Sequence, residues 1–177
     1  LTPLTTASAF NLASVSKQFY TMMVMQLKEQ GKLSYDDTVQ KHLPQFPYSN
    51  ITIRHLMNQT SGLPEYFDIA QGDMNPLDTL TNLYMLELLA IKKPALEFQP
   101  GEQWQYCNTN YTTLASVIEK VSGIPCEQFF AKHIAGALKL SNTFVYHLNM
   151  KSYPPSRVFG LEYDGNKYNL NDLVRFD

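Results

Sequence analysis

The chain has 177 residues, 44% of them hydrophobic and 17% charged, with a formal net charge of −2. This is the profile of an ordinary globular chain, either one domain or part of a larger one, and it argues against disorder. The 14 Lys and Arg residues are scattered rather than gathered into a stripe, which sets nucleic acid aside as a partner.

From Ser14 to Gln30, Phe19, Met22, Met23 and Leu27 recur at helical spacing, and Gly31 stands where a C-terminal cap belongs, so this segment is predicted as a helix. Met22, Met23 and Met25 are expected to be core filler on that helix. A short helical turn is expected between Asp36 and His42, stopped by Pro44-Gln45-Phe46-Pro47. Thr52 fits the N-cap of a helix from Ile53 to Asn58, and Thr60-Ser61-Gly62-Leu63-Pro64 reads as a turn. Pro76 suits the first turn of a helix running to about Lys92, where Lys92-Lys93 complements the C-terminal dipole. Another helix is predicted from Thr109 to Val121 and closed by Gly123, and Pro125 opens a further one to about Ala135. Beyond Tyr153, Val158 to Tyr163, Asp164-Gly165 and Lys167 to Leu170 read as a hairpin about a two-residue turn. Helices dominate, and little sequence remains to build a sheet.

Cys107 and Cys126 are the only thiols, and their spacing suits neither a zinc site nor a disulfide framework, so they read as free. His42, His55, His133 and His147 share no metal-ligand spacing and have no evident carboxylate partner, which makes them surface or packing residues. No metal or organic cofactor is implied. No apolar run approaches the ~20 residues that span a bilayer, and Leu1-Thr2-Pro3 does not begin a signal peptide. The expectation is an export signal upstream of residue 1.

Ser14 and Lys17 are three apart at the start of the first helix, which puts both side chains on one face about a turn apart. A serine needs a base to act as nucleophile, and a lysine serves where burial and the positive helix end disfavour its ammonium form. The same helix end leaves backbone N–H groups unpaired, including that of Ser14, which supplies half of an oxyanion hole. With 11 serines and 11 lysines, a chance Ser-x-x-Lys is expected about 0.7 times, so the spacing alone decides little. Its setting adds weight, because Phe10-Asn11-Leu12-Ala13 forms an apolar approach.

The stretch FNLASVSKQF resembles the active-site serine segment of the class C β-lactamase, D-aminopeptidase and esterase superfamily, and more distantly the penicillin-binding proteins. GKLSYDD, ITIRHLMNQTSGLPEY and FQPGEQWQYCNTNYTTLASVIEKVSG are similar to family segments in order and spacing, up to about residue 147. The resemblance implies an α/β fold of which this chain is the mainly α region, and a serine nucleophile, Ser14, with Lys17 as base. It makes Tyr106-Cys107-Asn108 the family's Tyr-x-Asn, with Tyr106 in the proton relay and Asn108 binding substrate and orienting Lys17. Tyr48-Ser49-Asn50 fits the same letters and is set aside because it lies in a proline-bracketed loop where the family varies.

Departures from the pattern are also visible. None of the 8 glycines has Lys or His two positions before it, so the family's third element is missing; Gln59 stands where the family usually has His, and Cys107 where Ser is common. Residues 1–177 are therefore expected to be a partial β-lactamase-like domain lacking N-terminal strands and part of the C-terminal sheet. That missing sheet segment is its natural partner, and the piece is inactive alone. The implied parent is an exported serine hydrolase acting through an acyl-enzyme on β-lactam, D-amino-acid peptide or ester carbonyls. Two rivals remain: a penicillin- or peptide-binding sensor of the same fold without turnover, and a helical interaction domain in which Lys17 lies far from Ser14 and Tyr106.

Overall fold

A computed structural model describes residues 3–71, 81–146 and 156–171. Its centre is a helix, Thr109–Ser122, in which Leu114, Val117 and Ile118 are fully buried and Thr109, Asn110 and Thr113 also face inward. Around it, in chain order, are α1 (Lys17–Glu29), α2 (Val39–His42), α3 (Ile53–Met57), α4 (Tyr66–Ala70) and α5 (Asn82–Lys92); the central helix is α6, and α7 (Cys126–Phe130) follows. Helices α1, α3 and α5 pack against α6, bringing Met23, Val24 and Leu27, then Ile53 and Leu56, then Met85 and Leu89 into one core. Each such side chain contributes about 1.5–3 kcal/mol by leaving water. The Phe19 and Phe130 rings meet edge to face at 5.4 Å, joining α1 to α7.

Local chemistry fixes the ends of these elements. Thr52 caps α3 through its hydroxyl and the His55 backbone N–H, while the His55 ring accepts from the Thr52 N–H, a reciprocal box. Gly123 ends α6 at φ +75°, the left-handed conformation that a side chain disfavours.

Several sequence expectations need correction. Ser14 belongs not to the α-helix but to a 3-10 turn, Ala13–Ser16, that runs into α1. Met23 is buried, but Met22 and Met25 are 40% and 46% exposed, because they lie on the face of α1 turned away from α6. The helix expected from Pro76 begins at Asn82, capped by the Thr81 hydroxyl on the Tyr84 N–H; Pro76 itself lies outside the described residues, as does His147. The segment after Pro125 is α-helical only to Phe130 and continues as a wider π turn, Ala131–Ala135. Helix α4 was not foreseen.

The C-terminal hairpin pairs β1 (Gly160–Tyr163) with β2 (Tyr168–Asn171), antiparallel, with Tyr163 opposite Tyr168. Asp164 N–H then donates to the Lys167 carbonyl, so the central residues are Gly165-Asn166, one position later than the Asp-Gly signal suggested. The reason is the Asp164 carboxylate, which accepts from the Asn166 and Lys167 N–H groups and so occupies the first corner of the turn. Before the hairpin, Ala9 forms a parallel bridge with Arg157, its N–H donating to the Ser156 carbonyl at 2.8 Å. Among the described residues the chain is thus mainly α, with one two-stranded sheet.

Candidate active site

The first half of the site is local. Asn11 accepts the Ala13 N–H on its side-chain oxygen at 2.9 Å, and Val15 N–H reaches the Leu12 carbonyl at 2.9 Å. Between them Ala13 adopts φ +43°, a left-handed conformation that costs an L-residue about 1–2 kcal/mol. This kink starts the 3-10 turn with Ser14 near its beginning, where backbone N–H groups have no acceptor within the helix. Three residues on, Lys17 opens α1 on the same face, and its Nζ lies 3.0 Å from Ser14 Oγ.

The second half is delivered by two loops that run side by side. Glu97 N–H donates to the Gly62 carbonyl, Gly101 N–H to Thr60 and Gln105 N–H to Gln59, at 2.8, 2.8 and 3.0 Å. Gly62 is required here, because its φ is +76° and a Cβ would lie 2.0 Å from the Phe98 carbonyl oxygen. The buried Gln59 side chain accepts from Cys107 N–H at 3.0 Å and from the Asn110 amide at 2.5 Å. Ser61 donates to the other side of that amide at 2.5 Å. This buried network holds residues 105–110 in place and presents Tyr106 and Asn108 over the start of α1.

There the four groups converge. Tyr106 Oη is 2.6 Å from Ser14 Oγ and accepts from Lys17 Nζ at 2.6 Å, while Asn108 Oδ1 accepts from the same Nζ at 2.8 Å. An ammonium has three N–H donors, and here they meet three oxygen acceptors. Lys17 also lies 4.8 Å and 5.5 Å from the ring centres of Tyr106 and Tyr111. Partial burial pushes the Tyr106 phenol up, but the hydrogen bonds with Lys17 and Ser14 and the Lys17 charge outweigh it, leaving the phenol below its ordinary value. Tyr106 remains 45% exposed, so an incoming molecule can reach the cluster. A phenol that ionises more readily than an ordinary tyrosine, 2.6 Å from a serine hydroxyl, is placed to take that hydroxyl's proton once ionised.

Ser14, Lys17 and Tyr106, all singled out in the sequence, are therefore within hydrogen-bonding reach of one another, and Asn108, also singled out, joins them through Lys17. The interaction-domain reading required a distant lysine, and the 3.0 Å and 2.6 Å separations are incompatible with it. The rival Tyr48 is occupied elsewhere, its hydroxyl donating to the Pro94 carbonyl at 2.5 Å. Among the histidines, His42 does have a carboxylate partner, Asp37, 3.0 Å from its Nε2, contrary to expectation; a turn brings together residues whose pairing the sequence did not signal. His55 is part of the α3 cap, and His133 packs on Phe129. Both cysteines are buried free thiols. Glu65 was missed: its carboxylate accepts from the backbone and side-chain N–H groups of Asn108, and only its place after the Gly62-Leu63-Pro64 turn hinted at it. Gln59 was noticed only as a departure, yet it anchors the Tyr106 loop.

A family model described as Beta-lactamase matches residues 2–176. The chain is 37% identical over 166 residues to Penicillin-binding protein 4* of Bacillus subtilis, covering 92% of this chain and 36% of that protein. A penicillin-binding protein from Bacillus halodurans superposes with TM-score 0.79 at 27% identity, over 96% of this chain and 52% of that one. EstCE1, a hydrolase with promiscuous acyltransferase activity, gives TM-score 0.74 at 30% identity, over 92% of this chain and 45% of the other. The chain thus spans little more than a third of the length of the Bacillus subtilis relative.

Proposed function

The chain belongs to the beta-lactamase family, and from that premise we propose that it carries the nucleophile and proton relay of a serine hydrolase working through an acyl-enzyme. The observation that supports this best is the convergence of Ser14 Oγ, Lys17 Nζ and Tyr106 Oη within 3.0 Å of one another. Ser14 Oγ bonds to the substrate carbonyl carbon as its proton passes to the oxygen of Tyr106, ionised and held as phenolate by the Lys17 ammonium. The Ser14 N–H, at the start of the helix, stabilises the oxyanion. As the intermediate collapses, the bond to the leaving nitrogen or oxygen breaks and the relay returns the proton to it; water then releases the acyl group from Ser14. Asn108 orients Lys17 and offers its amide to the substrate.

The substrate class in this reading is a β-lactam, a D-amino-acid peptide or an ester. The similarity to penicillin-binding proteins and to a hydrolase with promiscuous acyltransferase activity favours acyl transfer from such carbonyls. Residues 1–177 are read as a partial domain, exported as part of a longer protein and inactive without a further sheet segment; the greater length of the Bacillus subtilis relative supports the first of these readings alone. The test is covalent labelling. A fluorescent penicillin or fluorophosphonate should modify the full-length protein, and Ser14→Ala should abolish labelling; equal labelling of the alanine variant refutes the reading. A stable adduct with no turnover favours the sensor alternative.

A further inference from the structure

We propose that Glu65 is a positioning residue for this chemistry: its carboxylate fixes the Asn108 amide with the carbonyl oxygen toward Lys17, and through that amide holds the Lys17 amine between Ser14 and Tyr106. The inference rests on the assignment of Ser14, Lys17, Tyr106 and Asn108 made above.

Asn108 lies between two charged groups of opposite kind. On one side Lys17 Nζ is 2.8 Å from Asn108 Oδ1, and on the other Glu65 Oε2 accepts from Asn108 Nδ2 at 3.2 Å. An ammonium can only donate and a carboxylate can only accept, so the amide has one satisfactory orientation. Reversed, it would turn an NH2 toward the ammonium and an oxygen toward the carboxylate, exchanging two attractive contacts for two repulsive ones. Without Glu65, Lys17 alone would set the orientation, and the amide NH2 would lose its charged acceptor.

Glu65 is itself firmly held. Oε2 also accepts the Asn108 backbone N–H at 2.9 Å, and Oε1 accepts the Tyr66 N–H at 3.1 Å as the cap of α4. The preceding carbonyl, of Pro64, accepts from Thr109 Oγ1 at 2.7 Å and Cys107 Sγ at 3.4 Å. Pro64 and Glu65 are thus pinned to 107–109 by backbone and side-chain bonds, and α4, the helix not foreseen from the sequence, sets where the carboxylate stands. Its charge also reaches the relay: of the charged groups facing the Tyr106 phenol, Lys17 favours ionisation and Glu65 opposes it.

The test is the rate of Ser14 acylation by a fluorophosphonate in the full-length protein, measured across pH. Glu65→Ala is expected to slow acylation about 10- to 100-fold, the loss of a hydrogen bond to a charged group. Glu65→Gln keeps one accepting oxygen, which can still take the Asn108 N–H groups while its NH2 replaces the acceptor of the Tyr66 N–H, and is expected to recover much of the rate. Because it removes a negative charge facing Tyr106, its pH–rate profile should also move to lower pH. In an Asn108→Ala background, Glu65→Ala should cost little more, since the partner it acts through is gone. Wild-type rates in Glu65→Ala, or an undiminished cost in the Asn108→Ala background, would overturn the proposal. If Glu65→Ala does not fold, Glu65→Asp decides instead: the shorter side chain draws the carboxylate back from Asn108 and should slow acylation, and a wild-type rate overturns the proposal. Should Ser14→Ala label like wild type, the catalytic reading itself fails, an outcome distinct from the failure of Glu65.

Discussion

Replacing Gly62 by alanine tests how the Tyr106 loop is held. The new Cβ would stand 2.0 Å from the Phe98 carbonyl oxygen, 3.1 Å from its carbon and 3.3 Å from its nitrogen, and backbone atoms cannot swing aside as a flexible side chain can. Gly62 also sits at φ +76°, which adds about 1–2 kcal/mol for an L-residue. Forced overpacking adds about 1–3 kcal/mol, so the loss should be about 2–5 kcal/mol, or a fall in Tm of about 4–20 °C for a chain of this size. Gly123→Ala is the matched control: its φ is +75° but nothing lies within 4 Å of the added carbon, so only the conformational cost applies. Thermal unfolding followed by circular dichroism should show Gly62→Ala less stable than Gly123→Ala by at least about 1 kcal/mol. Acylation of Ser14 should slow only in the former, because the Glu97–Gly62 bond helps aim Tyr106. Equal melting temperatures would refute the steric account of this contact.

Tyr106→Phe removes the phenolic oxygen while keeping the exposed ring, so acylation should fall about 10²- to 10⁴-fold with Tm nearly unchanged; labelling kinetics alongside a melt will check both. Phe129, buried to 1% exposure, should cost about 3–5 kcal/mol as Phe129→Ala in urea unfolding. Burial raises the Asp37 carboxyl, but hydrogen bonds from Lys41, the Ser34 N–H and His42 lower it further, to about 2. Because the folded value lies below the unfolded one, Asp37 stabilises the fold above about pH 4 and loses that contribution as pH falls toward 2. The stability gap between wild type and Asp37→Asn, measured by denaturant titration at each pH, should close over that window. Burial raises the thiols of Cys107 and Cys126, so Ellman's reagent should react with neither at pH 8 until denaturant is added.

What was legible in the sequence was what short-range chemistry encodes. The period of Phe19, Met23 and Leu27 gave α1, Thr52 and Gly123 marked helix ends, and the Ser14–Lys17 pairing needs only one helical turn. Tyr106 and Asn108 were found through family resemblance, since nothing local links residue 106 to residue 14. Glu65 escaped because its significance lies in contacts 43 residues away, and α4 because five residues show too little periodicity. Met22 and Met25 were misplaced for a related reason: periodicity names an apolar face but not which neighbours cover it. The hairpin turn slipped by one position because the Asp164 side chain competes with the backbone for the turn's N–H groups.

The paired loops at 59–62 and 97–105 have a kinetic consequence. Serine and amine lie on one continuous run, the 3-10 turn and α1, whereas the phenol arrives on a separate strip tied down by three backbone bonds, at Glu97, Gly101 and Gln105, and by the Gln59 and Glu65 side chains just beyond it. Such a strip can unzip while the helical core stays shut, and each opening would carry the phenol away from the hydroxyl it serves. Hydrogen–deuterium exchange at those three amides would therefore time the intervals in which the serine is disarmed, independently of how long the whole chain stays folded.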